Sequence, residues 1–132
     1  METAGIRKQI TIAGGGLAGL ALGIGLRRRG IPVTLHEAGT YPRHRVCGEF
    51  ISGLGADTIG VLGLERVLEG AQQHRRTTWF VRDRQVFQGT LPEPALGISR
   101  FLLDQRLSES FRQSGGSLIT RSRVPDENVP GL

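Results

Sequence analysis

Cysteine occurs once, as Cys47, in a chain of 132 residues. No intrachain disulfide can form, so a secreted, disulfide-stapled scaffold is excluded and a reducing compartment, the cytoplasm, is the default. No stretch approaches the roughly 20 consecutive apolar residues that span a bilayer, and the amino terminus lacks a long apolar run ending in a cleavage site. Peripheral contact with a membrane is still compatible with the chain. Lysine is limited to Lys8 and aromatic residues to 5%, so the net charge of +5 is carried by arginine. These arginines are scattered over Arg27 to Arg29, Arg43, Arg45, Arg75, Arg76 and the tail. They show no aromatic interleaving and no zinc-finger, RRM or KH pattern, which argues against nucleic acid as a partner. His36, His44 and His74 have no partner at metal-ligand spacing, so no metal site is expected.

What the chain does have is aliphatic material and glycine. Apolar residues make up 38%, enough for one core in a domain of ordinary size. Glycine, at 20 residues, is about twice its usual share of roughly 7%. It clusters at positions 14–30 and 48–63, and clustered glycine serves backbone geometry.

Residues 9–13 are β-branched and apolar and end at glycine, which reads as a buried strand. Leu17, Leu20, Ala21 and Ile24 recur at helical spacing, closed by Arg27, Arg28 and Arg29 and stopped at Gly30. Pro32 cannot continue that helix, and residues 33–36 alternate before Glu37, giving a second strand. The unit is β-α-β with parallel strands and a right-handed crossover. Residues 40–53 read as irregular and basic, and residues 54–69 as a short or split helix interrupted by Gly60 and Gly63. Residues 77–90 alternate around Arg82-Asp83-Arg84 and predict an antiparallel hairpin belonging to another layer. Leu102, Leu103, Leu107 and Phe111 mark a helix face, with Ser99 as its cap and Gly115-Gly116 as its stop. Residues 117–120 are the third parallel strand.

Between the first strand and the first helix lies Gly14-Gly15-Gly16-Leu17-Ala18-Gly19, a G-x-G-x-x-G. Gly14 permits the tight turn, Gly16 lets backbone approach a pyrophosphate, and Gly19 lets the helix pack closely. Phosphates would sit on free N–H groups at the positive end of the helix. Glu37, followed by Ala38, ends the second strand about 20 residues on, where a carboxylate accepts hydrogen bonds from ribose hydroxyls. A glutamate disfavours a 2′-phosphate, so NADP is the least favoured dinucleotide unless Arg43 or Arg45 compensates. Between FAD and NAD the cradle is silent.

The segment Tyr41-Pro42-Arg43-His44-Arg45-Val46-Cys47-Gly48-Glu49-Phe50-Ile51-Ser52 resembles the loop after the ribose-binding acid in FAD-dependent oxidoreductases of the geranylgeranyl reductase type. These are relatives of the aromatic-ring hydroxylases and flavin-dependent halogenases. Ile98 to Leu107 is similar to the same family's R-x-x-L-D-x-x-L segment. The resemblance implies an α/β fold, a Rossmann-like FAD-binding βαβ domain over residues 1–132, with residues 77–90 as a hairpin of the substrate layer. It implies that Gly14, Gly15, Gly16, Leu17, Ala18 and Gly19 hold the pyrophosphate and Glu37 the ribose, with Ala38 also at the cofactor. Arg45, Cys47 and Gly48 would lie along the flavin, Arg100 would reach the phosphates, and Val124 would offer its backbone to the adenine.

The activity implied is a flavin-dependent reductase or monooxygenase that takes electrons from NAD(P)H and acts on an apolar organic substrate. Cys47 is expected to pack or touch the flavin and not to act as a nucleophile, and no residue is assigned a catalytic role. An NAD-dependent dehydrogenase and a non-catalytic nucleotide-binding module remain the alternatives. Complete members are longer, so the chain reads as an incomplete one. It is expected to be inactive alone and, with uncovered sheet edges, to self-associate.

Overall fold

The computed structural model describes residues 8–46 and 49–124. The first βαβ unit forms as its periodicity predicts: β1 (Ile10–Ala13), α1 (Leu17–Arg28) and β2 (Val33–Glu37). Gly30, at φ +70°, follows α1, and Arg27 near the end of α1 reaches the Ser114 carbonyl at 3.0 Å through Nε. After β2 the chain makes a two-residue strand, β3 (Phe50–Ile51), inside the stretch expected to be irregular. It then makes α2 (Ala56–Leu62), the short first half of the expected split helix, which stops at Gly63 with φ +68°.

The hairpin is present and longer on both arms than residues 77–90. β4 (Gln72–Val81) and β5 (Arg84–Gly97) turn at Arg82-Asp83, both with positive φ. The extra length of β4 escaped the sequence pattern because Gln72 to Arg76 are polar and exposed on both faces, so no alternation marks them. Helix α3 (Arg100–Gln113) starts at Ser99, whose Oγ accepts from Leu102 N–H at 3.2 Å. It ends before Gly115, and β6 (Ser117–Thr120) follows.

Two sheets result. The parallel one has the order β1-β2-β6, with Ile10 opposite Val33 and Thr34 opposite Ser117. Both crossovers move in the same direction, so right-handedness puts α1 and α3 on the same face. The core lies there: Ile12, Leu20, Ile24, Leu35, Leu107 and Phe111 are buried in one cluster. The antiparallel sheet has the order β3-β5-β4. Ala95 near the foot of the hairpin and Ile98 just after it are buried, whereas Trp79, Phe80, Val81, Val86 and Phe87 at its tip are exposed. Among the described residues no helix is long and apolar enough to cross a membrane.

Alternation along β2 aims the site. Val33, Leu35 and Glu37 are two apart, so all three side chains point to the helix-covered face, and all three are buried. Glu37 is the last of them and reaches the turn at the start of α1.

Candidate functional site

The glycine turn is shaped from within. Gly14, at φ +99°, adopts a conformation that side-chain-bearing residues rarely take, and its N–H bonds to the His36 carbonyl at 2.8 Å. A Cβ on Gly19 would collide with the Gly14 carbonyl oxygen, so the close packing expected of Gly19 is made against the turn itself as well as against Ile12 of β1. A Cβ on Gly16 would meet nothing within 4 Å. Open space therefore lies where the sequence motif requires a ligand to approach. Gly15, given no separate role by the motif, is buried against Tyr41 and Glu37.

Glu37 already accepts three hydrogen bonds. Its Oε2 accepts from Gly15 N–H at 2.8 Å, and its Oε1 accepts from Gly39 N–H at 2.7 Å and from Arg43 Nη1 at 2.6 Å. A carboxylate has about four acceptor positions, so one remains. The Arg43 guanidinium and the two backbone donors hold the Glu37 acid well below the usual range, at about 2, against the opposing effect of burial. Arg43 leaves its Nε and Nη2 buried without a partner among the described residues. Tyr41 completes the group by donating to the Gly15 carbonyl at 2.5 Å, with the Arg43 guanidinium 5.4 Å from its ring centroid.

Beside the turn a cleft of about 390 Å³ is lined by Ala13, Gly14, His36, Glu37 and Ala38 on one side and Ser122, Arg123 and Val124 on the other. Its two walls are joined where His36 Nδ1 meets Ser122 Oγ at 2.9 Å and Ser122 N–H donates to the Glu37 carbonyl at 3.0 Å. Four of the residues expected in the site, Gly14, Glu37, Ala38 and Val124, thus line one cleft. Gly15, Gly16, Leu17, Ala18 and Gly19 follow Gly14 directly in the chain, in the turn and first helical turn, and are not part of the cleft lining.

The remaining expected residues lie apart. Arg100 is paired with the fully buried Asp104 through Nε and Nη2, both at 3.2 Å. Arg45 is exposed on the loop after Arg43, and Cys47 and Gly48 fall outside the described residues. Sequence reasoning missed Tyr41 as a contact of the turn, Gly39 as a donor and Ser122 as a cleft wall. It considered Arg43 only as a residue that could compensate a 2′-phosphate, whereas its partner here is Glu37. The only signal was proximity: Tyr41 and Arg43 sit four and six positions after the acid.

No family model matches the sequence, and no curated protein does. Solved structures do match. The tetrameric form of 2-methyl-3-hydroxypyridine-5-carboxylic acid oxygenase is 27% identical over 90% of this chain and 33% of its own, with a TM-score of 0.79. The flavin-dependent monooxygenase PieE, solved with FAD and substrate, is 20% identical over 90% of this chain and 24% of its own, with a TM-score of 0.72. The myxobacterial chondrochloren halogenase CndH, described as a variant of FAD-dependent halogenases, is 24% identical over 87% of this chain and 28% of its own, with a TM-score of 0.68. The chain spans about a third or less of the length of these proteins. Its fold is that of the FAD-dependent oxidoreductases of the aromatic hydroxylase type.

Proposed function

We propose that the chain is the FAD-binding portion of a flavin-dependent oxidoreductase acting on an apolar organic substrate, with NAD(P)H as electron donor. The observation that carries this is the open face of the glycine turn beside a cleft whose walls are Glu37, Ala38 and Ser122 to Val124. Glu37 keeps one acceptor position for a ribose hydroxyl, the Val124 segment borders the adenine side, and the turn offers backbone N–H groups to the pyrophosphate. Bound FAD would supply two-electron redox chemistry, the protein supplying its orientation and electrostatics. Arg45, Cys47 and Gly48 are proposed for the flavin side and Arg100 for the phosphates, by resemblance.

Within the family, the oxygenase reading draws on 2-methyl-3-hydroxypyridine-5-carboxylic acid oxygenase, at 26–28% identity. The geranylgeranyl reductase reading draws on residues 41–52, and product analysis separates the two. A cytoplasmic location, peripheral membrane contact and a hairpin belonging to a substrate-binding layer are parts of the same proposal. Self-association is also proposed, supported by the exposed apolar hairpin tip. Light scattering should show mass rising with concentration, and a constant monomer mass would refute it.

Titration with FAD, followed by quenching of its fluorescence, tests the central reading, and absence of binding would overturn it. Glu37→Ala is expected to weaken FAD by about 1.5–3 kcal/mol, because bonds to a charged acceptor are lost. An unchanged affinity would remove Glu37 from the site. The same carboxyl sets an acid limit. Its folded value, about 2, lies below its ordinary value of 4.5. The stability it contributes is complete above about 4.5 and is lost as pH falls from there toward 2. Urea unfolding at pH 6 and pH 3 should show a smaller loss in Glu37→Gln than in the parent chain, and equal losses would refute the assignment.

A further inference from the structure

We infer that Tyr41 is a positioning residue of the phosphate cradle, fixing the peptide between Gly15 and Gly16 so that the Gly16 N–H faces the ligand side. The inference rests on the FAD reading above and deepens it.

The turn contains three consecutive glycines, and glycine populates positive and negative φ with similar ease. A peptide unit between two glycines can therefore rotate at little cost, and nothing in the G-x-G-x-x-G pattern itself prevents it. In this chain the unit is held from outside. The Tyr41 hydroxyl donates to the Gly15 carbonyl at 2.5 Å, while the Gly15 N–H is held by Glu37 Oε2 at 2.8 Å. A trans peptide points its C=O and N–H to opposite sides. With the Gly15 carbonyl drawn toward Tyr41, the Gly16 N–H points away from it. At Gly15 an added Cβ would collide with the Tyr41 hydroxyl, whereas at Gly16 it would meet nothing within 4 Å. One side of the turn is closed by Tyr41 and Glu37, and the other is open in front of α1. An anion entering there meets the Gly16 N–H together with the amino-terminal end of the helix.

Tyr41 is itself held. Its ring lies beside the Arg43 guanidinium, and Arg43 is bonded to Glu37 at 2.6 Å. Gly15, Glu37, Arg43 and Tyr41 thus form a closed circuit. Burial pushes the Tyr41 hydroxyl up to about 12, with Glu37 and Asp104 acting in the same direction and Arg43 and Arg112 opposing. The hydroxyl therefore stays a donor throughout the neutral range.

Removing the hydroxyl should impair recognition of phosphate and spare recognition of the nucleoside. Calorimetric titration of the full chain with adenosine and with ADP, before and after Tyr41→Phe, makes the distinction. We expect ADP to weaken about fivefold to tenfold, the worth of one hydrogen bond, with adenosine changed less than twofold. Equal weakening of the two ligands, or a Tyr41→Phe chain with no cooperative thermal melt, would make Tyr41 a support of the fold and overturn the inference. Unchanged ADP affinity would overturn it as well. If the parent chain bound adenosine and ADP equally, no phosphate would rest on the turn, and the inference would fall while the adenosine cleft stood. Binding of neither ligand would remove the FAD reading and the inference together.

Discussion

Phe111→Ala is expected to destabilise the chain by about 3–5 kcal/mol, the range for truncating a large buried aromatic. The ring is fully buried, and the sequence around it leaves no way to refill the space. A Cβ built on Gly23 of α1 would stand 2.7 Å from Phe111 Cε2, and one on Gly116 would also collide with the ring. Two glycines thus let α1 and the start of β6 close onto one side chain. Removing the ring leaves a cavity bordered on two sides by Gly23 and Gly116, which contribute no side chain to fill it. Because domain stability is about 5–15 kcal/mol in total, urea unfolding should report a large shift of the midpoint. A loss below about 1 kcal/mol would show that the contact between α1 and α3 is not the centre of the core.

Gly19→Ala should be comparably severe, and for the opposite reason. On helix propensity alone alanine would be favoured over glycine by about 1 kcal/mol. Here the added methyl would run into the Gly14 carbonyl oxygen. Gly14 cannot retreat, since its N–H is tied to His36 and its positive φ fixes the turn. Overpacking against backbone is expected to cost about 3 kcal/mol or more, and FAD binding should disappear with the turn. Gly60→Ala is the control: this glycine lies inside α2 with its nearest neighbour, Glu65 Oε1, at 3.7 Å from the added Cβ. That variant should be neutral or slightly more stable. If both variants behaved alike, the collision at Gly19 would not govern the result.

The parts of the fold legible in the sequence were those that repeat. The 3.6-residue spacing of Leu17, Leu20 and Ile24, the alternation through β2 and the glycine stops at Gly30 and Gly115 all follow from local rules, and the elements appear where these rules put them. β3 was illegible because two residues carry no period. The site divides in the same way. Gly14, Gly19 and Glu37 belong to a spaced motif and were readable, whereas the bonds of Tyr41 and Arg43 run from an irregular loop back to the turn. Nothing periodic predicts that Arg43 reaches Glu37 and not a phosphate. A buried carboxylate with the Arg43 guanidinium 2.6 Å away decides it, and burial is a property of the folded chain.

The order of strands in the parallel sheet also has a kinetic meaning. β1 and β2 are joined through one helix, but β2 meets β6 only after β3, α2, the whole hairpin and α3 have been traversed. Pairing Thr34 with Ser117 therefore closes a loop made of most of the chain, and such non-local closure slows folding. The Ser122 and Val124 wall of the cleft follows directly on β6. We predict that during refolding the amides of β1 and β2 gain protection from hydrogen exchange before those of β6, and simultaneous protection would contradict this. The glycine turn would then exist before the cleft beside it does, leaving that cleft as the last part of the candidate site to assemble.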